Sequence, residues 1–137
     1  MSIEEPRFLV DEMLQRLGRW LRAAGYDTRI ATHAEADYYL LRQAIDEGRL
    51  LLTRDRKLLE HRRAPGTVIL LGAETLEDCA EELSALLDIN WQHDPFSRCL
   101  VCNTLLLDAN PNQRASVPPK TRAHDPAAFF CPHCNQV

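Results

Sequence analysis

Short apolar runs alternate with longer stretches of helical spacing through the first two thirds of the chain. The runs at residues 8–10 and 50–52 are too brief for helices and are bounded by charged residues, which predicts buried strands. Between them, apolar residues recur at steps of three, four and three, the spacing of one helix face, at Leu14, Leu17, Leu21 and Ala24. Gly25 then provides a helix stop.

The complete pattern predicts four strands and four helices in alternation. The strands are expected at residues 8–10, 27–31, 50–53 and 68–71, and the helices at 12–24, 37–47, 55–61 and 75–87. Such alternation is typical of an α/β fold with a mostly parallel sheet and helices on both faces.

The composition changes near residue 92. Beyond it, Pro, Asn and Gln become common and helical periodicity disappears. We therefore predict two domains, 1–92 and 93–137. The second has few apolar residues for a core of its own, so it is expected to need a covalent or metal staple.

Two C-x-x-C pairs supply candidates for that staple. Cys99 and Cys102 form the first, Cys131 and Cys134 form the second, and 28 residues separate the pairs. Four thiolates at this spacing are typical of a structural Zn²⁺ site in a zinc ribbon. The alternative is two disulfides or loose thiols. The odd cysteine, Cys79, is expected to be a buried thiol.

Charge is unevenly distributed along the chain. The net charge is −4, but residues 7–63 contain 12 basic and 9 acidic side chains, a net of +3. Residues 64–90 contain six acids and no base. Fourteen of the 16 basic residues are arginine, the side chain best suited to bidentate phosphate contact. One basic face for nucleic acid is therefore compatible with the negative total.

Three aspartates are placed to meet at one edge of the predicted sheet. Asp11 and Asp55 follow the first and third strands, and Asp37 begins the helix after the second. Converging carboxylates repel one another, and a hard cation such as Mg²⁺ or Mn²⁺ relieves the repulsion. Each aspartate can instead cap the helix that follows it. When Asp37 is considered by itself, capping is the favoured interpretation. Glu74, after the fourth strand, is a candidate fourth ligand.

Arginines flank this predicted edge. Arg16, Arg19 and Arg22 recur every three residues along the first helix, and Arg54, Arg56 and Lys57 surround Asp55. They line a phosphate-binding groove or form a solvated helix face. Basic residues of the second module are further candidates for RNA contacts: Arg98, Arg114, Lys120 and Arg122.

Several motifs together resemble one known family, the PIN-like ribonucleases named for the carboxy-terminal domain of the nematode mutator exonuclease. The matching stretches are F-L-V-D at 8–11, L-x-x-L-x-x-W-L-R-x-x-G-Y-D at 14–27, G-R-L-L-L-T-R-D at 48–55, and S-R-C-x-x-C-N at 97–103 with C-P-x-C at 131–134. They extend over nearly the whole chain. Members of the family usually continue past the second cysteine pair. We therefore expect either that this ribbon is incompletely closed or that the natural protein is longer.

The resemblance implies a PIN-like α/β fold, a C-terminal zinc ribbon and metal-dependent hydrolysis of RNA. By position, Asp11, Asp37 and Asp55 correspond to the acidic Mg²⁺ or Mn²⁺ ligands. Thr53 corresponds to a threonine that orients the neighbouring aspartate, and the four cysteines correspond to the Zn²⁺ ligands. PIN-like folds usually carry a further acid after strand four, which here can only be Glu74 or Asp78.

Two other function classes fit parts of the sequence. A phosphoacceptor signalling domain would also place Asp11, Glu12 and Asp55 at strand ends, but it needs a lysine after a fifth strand and none is so placed. A non-catalytic RNA-binding adaptor would use the acids as caps and the ribbon for binding. The chain has no signal peptide and no apolar run long enough for a membrane helix, so a cytoplasmic location is expected.

Overall fold

The protein has an α/β fold in which short strands alternate with helices. The computed structural model describes residues 5–31, 37–117 and 128–136. The strands and α-helices are β1 (Phe8–Val10), α1 (Gln15–Ala24), β2 (Thr28–Ile30), α2 (Asp37–Glu47), β3 (Leu50–Thr53), β4 (Val68–Leu70), α3 (Leu76–Leu87), β5 (Leu107–Asp108), α4 (Pro111–Ala115) and β6 (Phe129–Phe130). Two 3-10 turns, Glu12–Leu14 and Arg56–Glu60, follow β1 and β3.

The first four strands form one parallel sheet in the order β2-β1-β3-β4. The inner strand β1 pairs Val10 with Ile30 of β2 and with Leu52 of β3. All four carboxyl ends therefore lie along one edge of the sheet, here called the carboxyl edge, and the amino ends lie along the opposite amino edge. The predicted fold class is confirmed.

Each face of the sheet is covered by helices. Phe8 and Val10 pack in a cluster with α1 and α3, whereas Leu9 packs in a second cluster with α2 and the Arg56–Glu60 turn. Leu51 and Leu52 point to opposite faces and have no exposed surface. Burial on both faces explains why these strands are continuous apolar runs rather than alternating ones.

Three helices differ from the predicted pattern, and the one expected at residues 55–61 is the 3-10 turn Arg56–Glu60. The helix expected at 12–24 is divided into a 3-10 turn at Glu12–Leu14 and α1 from Gln15, because Leu14, at the end of the turn, has φ −109° and ψ 24°. The helix α4, between the cysteine pairs, was not predicted. Asn110 and Gln113 form a reciprocal capping box around Pro111, which starts a helix of five residues, too short to show apolar periodicity.

The C-terminal module packs on the amino edge. Its two short strands, β5 and β6, are antiparallel. The side chain of Arg22, near the end of α1, donates to the Leu100 carbonyl (2.9 Å), and the Thr28 amide donates to the Asn103 side chain (3.0 Å). None of the helices in the described ranges is long and apolar enough to cross a membrane.

The predicted boundary near residue 92 lies in a segment that folds back on the α/β layer. The Asn90 amide donates to the Tyr26 hydroxyl (3.0 Å), and the His93 ring stacks on the Tyr26 ring with centroids 4.8 Å apart. The Asp94 amide donates to the carbonyl of Ala24 at the end of α1 (2.7 Å). The division into domains 1–92 and 93–137 stays a prediction.

Candidate functional site

Asp11 and Thr53 stand at adjacent strand ends on the carboxyl edge. Asp11 follows β1, and its amide donates to the Leu52 carbonyl of β3 (3.2 Å), which fixes the backbone where the strand ends. The fully buried Thr53 hydroxyl donates to Asp11 Oδ2 across a long 3.4 Å. Asp11 makes no side-chain capping bond to the turn that follows it. Its carboxylate is therefore oriented by β3 rather than by its own turn.

Asp55 is tied to the same threonine through its backbone. Its amide donates to Thr53 Oγ1 (3.0 Å), while its Oδ1 accepts from the Lys57 amide (2.9 Å) and caps the Arg56–Glu60 turn. The capping alternative is thus realised at Asp55. Capping engages one carboxylate oxygen and leaves Oδ2 available for a cation.

The third predicted ligand, Asp37, begins α2, but its side chain lies outside the described residues. Convergence of the three aspartates therefore stays a prediction. Among the side chains that the structure describes, the four cysteines form the single group of three or more potential metal ligands close enough to share an ion.

Glu74 borders a cleft of about 270 Å³ beside the carboxyl edge. Glu12 and Arg16 line its other wall, with Arg54 and Cys79 also contributing. Two carboxylates and two guanidiniums thus share one cleft, an arrangement that balances its charge. Asp11 and Asp55 do not line this cleft, so Glu74 as fourth ligand remains a prediction.

Arg22 neither lines a phosphate-binding groove nor lies on a solvated helix face, the two roles considered for it from the sequence. It is 6% exposed, and its Nε and Nη1 atoms donate to the carbonyls of Thr28 (2.8 Å) and Leu100 (2.9 Å). Burial lowers its pKa, while nearby cysteine sulfurs and Asp27 oppose that effect. Arg22 joins the two modules, whereas Arg16 and Arg19 are exposed on α1.

Of the predicted RNA-contacting residues in the second module, one has a structural role and one is exposed. Arg98 Nη1 donates to the Asn103 carbonyl (3.0 Å), so this side chain supports the first cysteine turn. Arg114 is exposed on α4. Lys120 and Arg122 lie outside the described residues.

The four cysteines meet at one point. All four sulfurs lie within 4.8 Å of one another, with Cys99 and Cys134 3.8 Å apart and Cys102 and Cys131 3.5 Å apart. A tetrahedral Zn²⁺ with Zn–S bonds of about 2.3 Å separates its sulfurs by roughly 3.8 Å. The cysteines are not joined as disulfides, so the arrangement fits zinc rather than the disulfide alternative.

Each C-x-x-C pair is shaped by a tight turn that ends in asparagine. The amides of Asn103 and Asn135 donate to the carbonyls of Cys99 and Cys131, both at 2.8 Å. Both asparagines have positive φ, 74° and 58°, a conformation that asparagine adopts more readily than most residues. The sequence therefore holds the sulfurs together through local backbone geometry.

Hydrogen bonds among these thiols shift the pKa values of Cys102 and Cys134 in opposite directions. Burial raises the pKa of Cys102, but bonds with Thr104 and the neighbouring thiols outweigh it and lower that pKa to about 6. The bond with Cys102 raises the pKa of Cys134 to about 12. Four thiolates this close repel one another strongly, and a bound cation would offset the repulsion.

A polar cluster that the sequence did not reveal attaches this centre to the sheet. Asp27 Oδ1 accepts from Arg49 Nη1 and from Asn103 Nδ2, both at 2.7 Å. Burial raises the pKa of Asp27, but the bonds from Arg49 and Asn103 dominate and lower it to about 2. Arg49 is 9% exposed and also bonds to Glu47 (2.8 Å). The cluster connects the first cysteine turn to the amino edge.

Comparison with known proteins agrees with the resemblance seen in the motifs. Residues 6–137 match the model of a family described as the Mut7-C RNAse domain. A human protein described as "Exonuclease mut-7 homolog" is 32% identical over 101 residues, which cover 71% of this chain. The matched region is only 12% of that relative's length, so the chain is similar to a small part of a much larger protein.

Proposed function

This chain belongs to the Mut7-C RNAse domain family, and on that premise we propose that it is a metal-dependent ribonuclease that hydrolyses RNA phosphodiester bonds. The observation that carries the proposal is the Thr53 hydroxyl, which bonds to the Asp11 carboxylate and to the Asp55 amide at neighbouring strand ends. A buried hydroxyl in this position orients the Asp11 carboxylate and holds the backbone at Asp55, and both acids lie where parallel sheets bind ligands.

Asp11, Asp37 and Asp55 are the proposed ligands of one or two Mg²⁺ or Mn²⁺ ions. Their oxygens suit hard cations, and Asp55 keeps one oxygen free of the capping bond. When bound, such an ion supplies Lewis acidity that activates water and stabilises charge on the phosphate. Arg54, next to Asp55, would add positive charge for the scissile phosphate.

We propose a structural role for Zn²⁺ at Cys99, Cys102, Cys131 and Cys134. Four protein ligands leave no open coordination position for chemistry. Two hydrogen bonds join the ribbon to the α/β layer: Arg22 donates to the Leu100 carbonyl, and the Thr28 amide donates to the Asn103 side chain. They support the further proposal that zinc holds the ribbon against the amino edge. There it would stabilise the fold at a distance from the carboxyl edge.

One observation favours a second candidate function, a non-catalytic RNA-binding adaptor. The Asp55 side chain caps the turn after it, which is the role that this alternative assigns to the acid. In an adaptor, the basic residues would bind RNA and no divalent ion would be needed beyond zinc.

The two candidates are separated by incubating the zinc-loaded protein with labelled single-stranded and structured RNAs, with and without Mg²⁺ or Mn²⁺. We expect cleavage that depends on the added ion and leaves 5′-phosphate and 3′-hydroxyl ends. Binding without cleavage under every ion condition would contradict the nuclease proposal and support the adaptor.

A further inference from the structure

We propose that a groove between α2 and the segment after the second 3-10 turn binds the backbone of single-stranded RNA and leads it to the carboxyl edge. The inference rests on the proposed nuclease function, because it concerns the substrate of the same site. The groove has a volume of about 500 Å³. It is lined by Tyr38, Leu41, Arg42, Ile45, Asp46 and residues 61–63.

The charged residues that line the groove are mostly basic. His61, Arg62 and Arg63 form one wall, and Arg42 stands on the other. Among the described residues that line it, Asp46 is the single acid, and it pairs with Arg42 at 3.8 Å. Within the described residues, no hydrogen bond or ion pair engages the Arg62 or Arg63 guanidinium. Unpaired guanidiniums at a surface are well suited to phosphate oxygens.

An exposed aromatic ring lies in the same groove. Tyr38 is 56% exposed, and its ring meets that of Tyr39 edge to face with centroids 5.9 Å apart. Because a ring has two faces, an edge-to-face pair with Tyr39 leaves at least one face of the exposed Tyr38 ring uncovered by Tyr39. Unstacked bases bind to such faces, whereas the bases of a duplex are stacked on one another. The combination of guanidiniums and a free ring therefore favours single-stranded RNA over a duplex.

One wall of the groove, α2, begins next to the predicted metal ligand Asp37, and the other wall, residues 61–63, follows the turn that starts at Asp55. Tyr38 follows Asp37 at the start of α2, and the Arg56–Glu60 turn that leads to His61 is capped by Asp55. The far end of α2 lies at the amino edge, where the Glu47 carbonyl accepts from Arg7 (2.8 Å). Because its lining residues recur at helical spacing from Tyr38 to Ile45, the groove extends along α2 away from the carboxyl edge.

The test is binding of a labelled single-stranded RNA, measured by fluorescence anisotropy with zinc-loaded protein and without added Mg²⁺ or Mn²⁺. The double variant Arg62→Gln/Arg63→Gln is expected to bind roughly tenfold more weakly, and its slope of log affinity against log salt should fall by about 1.4, since each lost phosphate contact contributes about 0.7. The double variant Arg7→Gln/Arg29→Gln is the matched control. It removes the same charge from guanidiniums already paired with Asp27 and Glu47, and should keep the wild-type slope.

The aromatic contact is tested in the same assay. Tyr38→Ala should weaken binding without changing the salt slope, and Tyr38→Phe, which keeps the ring, should restore it. Circular dichroism and urea unfolding of each variant establish that it is folded.

The outcomes separate this inference from the proposed function. If the Arg62 and Arg63 variant binds with the wild-type affinity and salt slope, or if the control loses as much affinity, the groove assignment is wrong even when RNA cleavage is intact. If the groove variant alone weakens binding while no variant and no ion condition gives cleavage, the groove stands as an RNA site and the nuclease proposal fails.

Discussion

At the scale of single residues, Thr53 connects the candidate ligands across the sheet. Its position two residues before Asp55 was evident from the sequence, and the family resemblance gave it the role of orienting that aspartate. Its bond to Asp11, 42 residues away, was not predictable, because that contact depends on the parallel pairing of Val10 with Leu52. The hydroxyl also bonds to the Asp55 amide rather than to the Asp55 carboxylate. Local motifs indicate which residues matter, but strand register determines which of them meet.

Replacing Thr53 separates its hydroxyl from its shape. Thr53→Val keeps the volume but leaves the Asp55 amide without its acceptor, so we expect a loss of about 1 to 2 kcal/mol in the free energy of unfolding. It should also reduce cleavage, because Asp11 loses its orienting bond. Thr53→Ser retains the hydroxyl and is the control. Urea unfolding and cleavage rates check the prediction, and equal behaviour of the Val and Ser variants would contradict it.

Asp27 should make the stability of the protein depend on pH in acid. Its pKa in the folded state is about 2, below the ordinary value of 3.8. A lowered pKa contributes stability that is present above the unfolded-state pKa and is lost as the pH falls toward the folded-state value. Asp27→Asn should therefore unfold more easily than wild type at pH 7, and the difference should shrink between about pH 4 and pH 2. Zinc loss in acid affects the wild type and Asp27→Asn alike, so it does not enter the difference between them. A difference in the free energy of unfolding that stays constant over this range would argue against the assignment.

At the scale of elements, the periodicity of apolar residues located every strand of the main sheet and its three α-helices. These predictions succeeded because burial on one or both faces imposes the pattern directly. Division of the first helix was not predictable, since Leu14 fits the same helical stripe whether the turn is α or 3-10. The small strands β5 and β6 have two residues each, too few for any periodicity.

The end of α1 provides a test of close packing between the two modules. Gly25 has φ 101°, and a Cβ there would lie 2.5 Å from the Asp94 carbonyl oxygen. Gly66 also has a positive φ, 81°, but faces open space. Both alanine variants carry the cost of the left-handed conformation, about 1 kcal/mol. Gly25→Ala must in addition displace backbone, so it should lower the free energy of unfolding by at least about 1 kcal/mol more than Gly66→Ala does.

Urea unfolding of the two glycine variants side by side decides this point. Equal losses would mean that the Asp94 segment moves freely away from α1, and the packing described between helix and linker would then be incorrect.

At the scale of the whole molecule, the two proposed metal sites occupy opposite edges of one sheet. The cysteine centre docks at the amino edge through Arg22, Asn103 and Asp27, and the candidate acids lie at the carboxyl edge. The sequence predicted the cysteine cluster from spacing alone, because each turn is local. It could not predict the docking, which depends on single polar contacts between residues more than 70 positions apart.

Removal of zinc should destabilise the α/β layer as well as the ribbon. Without the ion, repulsion and disorder among the thiols would release the bonds that Arg22 and Asn103 make across the interface. We expect a chelator or Cys99→Ser to lower the Tm and to change the fluorescence of Trp91, which bonds to Ser84 of α3 (2.7 Å) beside the linker. Cys79→Ala is the control, because this buried thiol lies outside the cluster and its variant should keep one zinc per chain. An unchanged Tm after the ion is removed would show that the ribbon does not support the main layer.

The measurement that tests the central claim most directly is cleavage of a labelled RNA by Asp55→Asn in the presence of Mn²⁺. Asparagine keeps the side-chain oxygen that caps the Arg56–Glu60 turn, so the fold should persist, but it removes the charge needed to bind the cation. Asp88→Asn makes the same change at an exposed residue at the far end of α3 and serves as the control. We predict that Asp55→Asn loses roughly a hundredfold or more in cleavage rate while Asp88→Asn cleaves like wild type. Cleavage by folded Asp55→Asn at the wild-type rate would show that Asp55 is only a helix cap and that the proposed metal site is wrong.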